Sequence, residues 1–403
     1  MSDTATTRSS VLIVGAGPVG MINALGLARA GVDVTLIEAN AQIVPEPRAV
    51  TYHWAVLEGM DRLGLLEDML VEGFKLPDIC YRIFRTGEII RFRMDALEGF
   101  TPYPYIVQLG QDRLEAIVLR HLAAYPNVRI DWRTRMQGLV QDEHGVTVTA
   151  ERDGHPVTYR ADWVIGADGA RSGVRKAIGV DFPGMTWPQR FVATNVEYDF
   201  GRHGWDLCNY VIDPSFGAVV ALVTPPAVWR VTFSEDASLP LEGIEDRIRA
   251  FYARIFPDPD QGYTIKQYSA YSMHQRVAEK LRVGRVLLAG DAAHATNPTN
   301  GFGLVSGMLD SQVLYEALAA VVKGEAPDSV LDRYAADRKR VFEEIASPSS
   351  VETKRLVFHS SDPERLEQDL QRLRRVAADP DLLRAQFMIG YRLKTPSVLA
   401  EPA

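Results

Sequence analysis

Val11-Leu-Ile-Val14-Gly15-Ala16-Gly17-Pro18-Val19-Gly20 opens a segment that closes on Leu36-Ile37-Glu38. Four aliphatic residues in a row are the signature of a strand buried on both faces. Gly15, Gly17 and Gly20 then follow the spacing G-x-G-x-x-G. In that pattern the first glycine makes the tight turn, the second lets the backbone approach a pyrophosphate, and the third lets the next helix lie against the strand. The helix is expected over about Val19 to Ala30, rich in Ala and Leu, with Gly31 as its stop. A second strand, Val32 to Ile37, leads to Glu38, about 20 residues beyond the glycines, where a carboxylate grips ribose hydroxyls. The same carboxylate repels a 2′-phosphate, so the dinucleotide held here is not NADP. An ordinary glycine-rich turn does not require strand, helix, strand and acid in this order.

The 403 residues suffice for two or three domains, and 46% hydrophobic with 24% charged residues is ordinary for a globular protein. A net charge of −8, without a basic run, argues against a nucleic-acid surface. Cys80 and Cys208 are the two cysteines, and neither a disulfide framework nor a thiolate metal site is expected. The start, Met1 to Ser10, lacks a basic n-region and an apolar core, and no apolar run is expected to approach the roughly 18 residues of a membrane span. These features read as a cytoplasmic protein without a membrane partner.

Outward from the first segment, Pro45 and Pro47 lead to Arg48-Ala-Val-Thr-Tyr-His53, and helical spacing follows from Trp54 to Leu70. Ile79 to Arg93 reads as strands around Gly87, and Gly110-Gln111 opens an apolar-striped helix. Strands follow at Val128 to Asp131 and Gly145 to Thr149, and one more runs into Asp168-Gly169. From Phe182 to Lys266 the texture changes to alternating strands at Arg190–Tyr198, Asn209–Ile212, Ala218–Val223 and Trp229–Ser234, with a helix over Leu241–Phe256. The chain then returns to nucleotide-binding texture at Gly290-Asp291-Ala-Ala-His294, the loop Asn297-Pro298-Thr-Asn300-Gly301-Phe302-Gly303, and a helix from Leu304 to Val322. The C-terminal part reads as charged helices with a break at Ser347-Pro348-Ser349.

Taken in order, the Gly15 fingerprint with Glu38, Arg48 with Gln111, Asp168-Gly169, and Gly290-Asp291 resemble the FAD-dependent aromatic hydroxylases of the para-hydroxybenzoate hydroxylase type, the single-component flavoprotein monooxygenases. The resemblance spans Val11 to about Val322. It implies an α/β fold: a Rossmann-like, glutathione-reductase-like FAD-binding domain, an inserted mixed-sheet substrate domain and C-terminal helices. The corresponding divisions are 1–181, with 72–108 on the substrate side, then 182–270, 271–325 and 326–403. It further implies non-covalent FAD, with Gly15, Ala16, Gly17, Pro18, Val19, Gly20, Glu38 and Ala39 around the ADP half. Arg48 would lie near the pyrophosphate and flavin, Gln111 and Asp291 near the ribityl chain, and Asp168 in the segment shared with the nicotinamide donor. Pro298, Gly301, Phe302, Gly303 and Leu304 would border the flavin ring, whose N1/C2 edge gains negative charge on reduction and is stabilised by N–H donors at a helix start. The sequence departs from the family's G-G-x-G-x-N loop at Asn300 and Val305.

The implied activity is an NAD(P)H- and O2-dependent hydroxylation of a small phenolic or N-heteroaromatic ring through a flavin C4a-hydroperoxide. No protein residue is thereby identified as catalytic. His53, Tyr210 and Pro298 are the substrate-side candidates. His53 also reads as a helix-entry residue and Tyr210 as a half-buried strand residue. Among eight histidines none has H-x-x-x-H spacing, so no metal is expected, and His294 reads as a loop-positioning residue. Ser172 lacks a G-x-S-x-G elbow, which excludes that hydrolase type. A flavin-dependent halogenase would carry W-x-W-x-I-P, which is absent. An isoprenoid reductase of the same fold would be expected to have an apolar tail or surface helix, and a non-catalytic FAD-binding module would consume no O2. A monomer or a homodimer is compatible with the sequence.

Overall fold

The computed structural model describes residues 6–45, 49–258 and 260–400. The strand Thr6–Val14 lies between two parallel partners, Val34–Ile37 and His155–Gly166. Val128–Asp131 extends this sheet on one side and Val286–Leu288 on the other, all parallel. In register, Val14 stands opposite Ile37 and Gly166, and Gly166 opposite Leu288. The carboxyl ends of four strands therefore share one edge. Gly15, Glu38, Ala167 and Ala289 leave the sheet there, and parallel sheets bind ligands at such an edge.

A second mixed sheet runs in the order His294–Ala295, Thr264–Val277, Gly184–Glu197, Val228–Asp236, Ala218–Thr224, Cys208–Ile212, Asp78–Ile83, Ile89–Arg93. Strand residues alternate between faces. One face carries Val192, Val231 and Trp229 and is buried against the helix Ile244–Ile255 through Ile248 and Tyr252. The register sets Asn195 beside Arg230 and Gln267, and Phe191 beside Tyr271, on the opposite face. Ala221 beside Arg230 and Tyr210 beside Val219 continue that face across the sheet.

Helical structure departs from the sequence expectation in three places. The stretch Trp54 to Leu70 is two helices, Trp54–Arg62 and Leu66–Glu72, because Gly64 adopts a left-handed φ of 76° between them. No break occurs at Ser347-Pro348-Ser349. Val330–Val341 passes through a π-helical turn, Phe342–Ala346, into Ser347–Phe358. Pro348 sits in the first turn of that last segment, and the wider turn before it accommodates the missing N–H without ending the helix. Phe302–Val322 is a 21-residue helix apolar enough to cross a membrane by length and composition, contrary to the expectation of no such run. Its apolar window is 83% buried, and a helix packed on all sides is apolar all round.

That helix carries one buried acid. Asp310 Oδ2 accepts from the Gly290 N–H at 3.0 Å and lies 2.7 Å from His294 Nε2, and Oδ1 accepts from Arg338 Nε at 2.8 Å. Arg338 also donates to the Leu393 carbonyl at 2.6 Å. Burial alone would raise the Asp310 pKa, but His294 and Arg338 outweigh it and hold the carboxyl at about 2. Because the folded pKa is depressed, the stabilisation is complete above the unfolded value near 4 and is lost as pH falls toward about 2. Asp310→Asn should cost about 3–5 kcal/mol at neutral pH, since it strands a buried guanidinium. Thermal unfolding of the two proteins across pH should show the gap narrowing below about pH 4.

Candidate functional site

The site begins at the turn after the first strand. Gly15 has a φ of 105°, and a Cβ there would press on the Ala167 carbonyl, so only glycine fits. A Cβ at Gly20 would collide with the Gly15 carbonyl, which is the close helix-on-strand packing the spacing anticipates. A Cβ at Gly17 would meet nothing within 4 Å, so this position faces open space. Gly17 is also the N-cap of Pro18–Arg29, a helix start without a side-chain cap. Uncapped N–H groups at such a start suit a phosphate. Glu38 accepts from the Ala16 N–H through one oxygen and from the Asn40 N–H through the other, each at 2.8 Å, which fixes its carboxylate beside the turn. Ala39 follows in the connection out of the strand. These features fit the ADP half of FAD.

Pro18–Arg29 is clamped to Phe302–Val322. Val19 fills the gap left by Gly290 and Gly307, Gly26 admits the Tyr315 ring, and Asn23 Nδ2 donates to Ser311 Oγ at 2.9 Å. Two helix N-termini are thereby held on one side of the molecule, as a long dinucleotide requires. Asp291 is exposed in the turn Gly290–Ala292, whose first N–H is held by Asp310. Asp168 spends its carboxylate locally, accepting from Ser172 Oγ at 2.5 Å and the Gly173 N–H at 2.6 Å. With Ser172, the N-cap residue of the short helix Gly173–Ala177, it holds the loop in place. Arg175 ties that loop to the Gly290 turn by donating to the Ala170 and Ala292 carbonyls, each at 2.9 Å.

The loop Pro298–Gly303 ends in the uncapped start of Phe302–Val322, with Gly301 at a φ of 74°. Asn300 takes no left-handed conformation; Gly301 supplies it instead. The Asn300 side chain accepts from the Phe302 N–H at 3.3 Å and from Ser350 Oγ at 2.8 Å, so it braces the loop. Val305 is fully buried in the core, and Gly303 and Leu304 lie in the first helical turn. His53 is the N-cap residue of Trp54–Arg62 and donates through Nε2 to the Asn300 carbonyl at 3.0 Å. Its ring meets Phe302 edge-on at 5.3 Å. Burial lowers the His53 pKa to about 4, so the ring is neutral at physiological pH.

Gln111 donates to Glu115 Oε1 at 2.9 Å and lines a cavity of about 240 Å3 with Leu109, Asn195, Thr224 and Arg230. This cavity lies between the first domain and the second sheet at Asn195, Arg230 and Gln267. Arg230 donates to Asn195 Oδ1 at 3.0 Å, and burial lowers its pKa to about 10. Tyr210 is 8% exposed and stacks on Tyr81 at 5.4 Å, within a cluster that includes Phe191, Met273 and Phe358. Arg48 lies outside the described residues. The sequence reading missed Asp310 and Arg338, which hold the Gly290 turn, and Ser350, which holds Asn300. An acid inside an apolar helix was the available signal for Asp310. Among the described residues no group of three potential metal ligands occurs.

Residues 8–349 match the family model described as FAD binding domain. The chain is 39% identical to a 6-hydroxy-3-succinoylpyridine 3-monooxygenase of Pseudomonas putida, over 96% of this chain and 99% of that protein. It is 42% identical to a para-nitrophenol 4-monooxygenase of a Pseudomonas species, over 90% and 91%. The crystal structure of a p-nitrophenol 4-monooxygenase from Pseudomonas putida superposes with a TM-score of 0.93 at 38% identity, covering 96% of this chain and 99% of that one.

Gly17→Ala should leave the melting temperature within a degree or two while weakening FAD binding, because its Cβ enters open space at an ordinary φ. Gly20→Ala should instead lower stability, and a calorimetric scan beside a flavin titration separates the two. Asp291→Ala should keep the fold and weaken flavin binding roughly 10- to 100-fold, as expected for loss of one charged acceptor.

Proposed function

This chain belongs to the FAD-dependent aromatic hydroxylase family and is an FAD-dependent monooxygenase, and from that premise we propose that it hydroxylates a small phenolic or hydroxy-N-heteroaromatic ring with NAD(P)H and O2. The observation that carries this reading is the sheet face bearing Tyr210, Phe191, Tyr271 and Arg230, which borders the first domain at Arg230 and is covered by the helix whose Ser350 bonds Asn300 of the loop Pro298–Gly303. Ligand pockets of this kind are mostly apolar with a few polar anchors, and this face has that composition. The two similar enzymes named above act on a nitrophenol and a hydroxypyridine, both rings whose hydroxyl ionises.

FAD, when bound, supplies the oxygen-activating chemistry. The chain's own part is binding, orientation and exclusion of water. Gly15 to Gly20 and Glu38 would hold the ADP half, and the Asp291 carboxylate a ribityl hydroxyl. The start of Phe302–Val322 places partial positive charge at the loop. His53, neutral and bonded to the Asn300 carbonyl, fixes the loop's shape without adding charge. Burial pushes the Tyr271 hydroxyl up to about 12 and the Tyr210 hydroxyl up as well, so both remain neutral donors or acceptors toward a ring substituent.

A screen of 4-nitrophenol, hydroxypyridines and hydroxybenzoates should find at least one ring that stimulates NAD(P)H oxidation and returns a product one oxygen atom heavier. Stimulated oxidation that yields only peroxide with every ring, or a halogenated product with added halide, would overturn the reading. Tyr210→Phe should change turnover or the ratio of product to peroxide while FAD content stays constant. Unchanged values of both would make Tyr210 scaffold.

A further inference from the structure

The helix Ser347–Phe358 covers the same sheet face from above. Positions 347, 350, 354 and 357 recur at three- and four-residue spacing and so share one side of the helix. At one end Ser347 Oγ accepts from Gln275 Nε2 at 2.6 Å, and Ser350 Oγ donates to Asn300 Oδ1 at 2.8 Å. At the other end Val357 and Phe358 pack with Phe191, Tyr210 and Met273. Lys354 stands between the flavin-side loop and this aromatic cluster, with 0% exposure.

Its ammonium has unusual company. Nζ donates to His359 Nε2 at 2.5 Å and to Gln189 Oε1 at 3.3 Å, and lies 4.1 Å from the centre of the Trp187 ring. None of these carries a negative charge, and among the described residues no carboxylate lies within ion-pair distance of Lys354 Nζ. Buried cations are ordinarily paired, because desolvation without a counter-charge is costly. Two further polar atoms, Nε1 of that same Trp187 and Oγ of Ser360, six residues on from Lys354, are buried without a hydrogen-bond partner. Burial alone lowers the Lys354 pKa to about 8. The cluster thus offers a cation and an indole N–H but no acid.

We propose that Lys354, with Trp187 beside it, receives an anionic oxygen of the ring substrate, a phenolate or a ring-borne carboxylate. This rests on the hydroxylase reading above and names the chemistry of its substrate. An ammonium next to a phenolate favours the ionised ring, and the ionised ring is the more nucleophilic toward oxygen transfer. A lysine that served only to fill space would be replaceable by an apolar chain of similar length, whereas a counter-charge would not.

The test uses the FAD-loaded enzyme and 4-nitrophenol, whose phenol and phenolate forms absorb at different wavelengths, at a pH below the free phenol's own pKa. Wild-type enzyme should shift bound nitrophenol toward the phenolate spectrum. Lys354→Met should abolish the shift and weaken binding roughly 10- to 100-fold, while Lys354→Arg retains most of both. Trp187→Phe, which keeps the ring and removes the N–H, gives a milder loss and serves if Lys354→Met folds poorly. A hydroxybenzoate titrated in parallel distinguishes the two sources: loss confined to nitrophenol assigns the phenolate, and loss confined to the benzoate assigns the carboxylate. Unchanged affinity for both anions in Lys354→Met and Trp187→Phe overturns the inference alone. Wild-type enzyme that binds none of these rings overturns the hydroxylase reading and the inference with it.

Discussion

One fully buried carboxylate, Asp310, sets the constraint on which the site's architecture depends. Its two oxygens are divided among three elements: the Gly290 N–H, the His294 ring, and the Arg338 guanidinium from the following helix. In a dry interior each of these bonds is strong and each unsatisfied group is expensive, so the arrangement is close to all or none. The turn that presents Asp291 cannot shift without exposing a charge in the core. Arg338 carries the same constraint outward to the Leu393 carbonyl, so the C-terminal helices are mechanically coupled to the nucleotide edge. His294 stacks on Phe342 at 4.2 Å and completes the packing around it.

The two helix starts that would meet FAD are held by different means. Pro18–Arg29 is fixed to the strand by missing side chains, because Gly20 lies against the Gly15 carbonyl. The start of Phe302–Val322 is fixed by side chains that are present: Asn300, Ser350 and His53 each bond the loop before it. The first method leaves open space at Gly17 for a phosphate. The second leaves a shaped loop whose backbone is rigid before any ligand arrives, so less reorganisation is needed at the moment of reaction.

The substrate side is assembled from distant segments. Asp78–Ile83 and Ile89–Arg93 join a sheet otherwise made from residues between Gly184 and Ala295, and Ser347–Phe358 roofs its inner face. The outer face is sealed by Ile244–Ile255, so only one side remains for a ring. That inner side carries Arg230, whose cavity is also lined by Glu72 and Asp112, and the wholly buried Lys354.

The nucleotide half was legible in the sequence because its physics is local. Gly15, Gly17, Gly20 and Glu38 act through backbone geometry and short spacing, and the strand and helix periods around them are strong. The strands at Asn209–Ile212, Ala218–Val223 and Trp229–Ser234 were legible for the same reason, by their alternation. Tertiary structure decided what depended on partners far along the chain. Asn300 stood out only as a departure from the family's loop, and Ser350, fifty residues on, gave the Asn300 amide its use. Pro348 looked like a break until a π-helical turn absorbed it. Asp168 carried the family's pattern, and its bonds to Ser172 and Gly173 appear only in the folded loop. Asp310 stood out only as an acid in an apolar helix, and Arg338 and Lys354 show no local signal of their roles, since a buried charge has meaning only through what it faces. Short-range spacing determined the turn and helix start that fit a dinucleotide, and long-range packing decided which charged groups are buried, because desolvation and pairing are properties of the assembled interior.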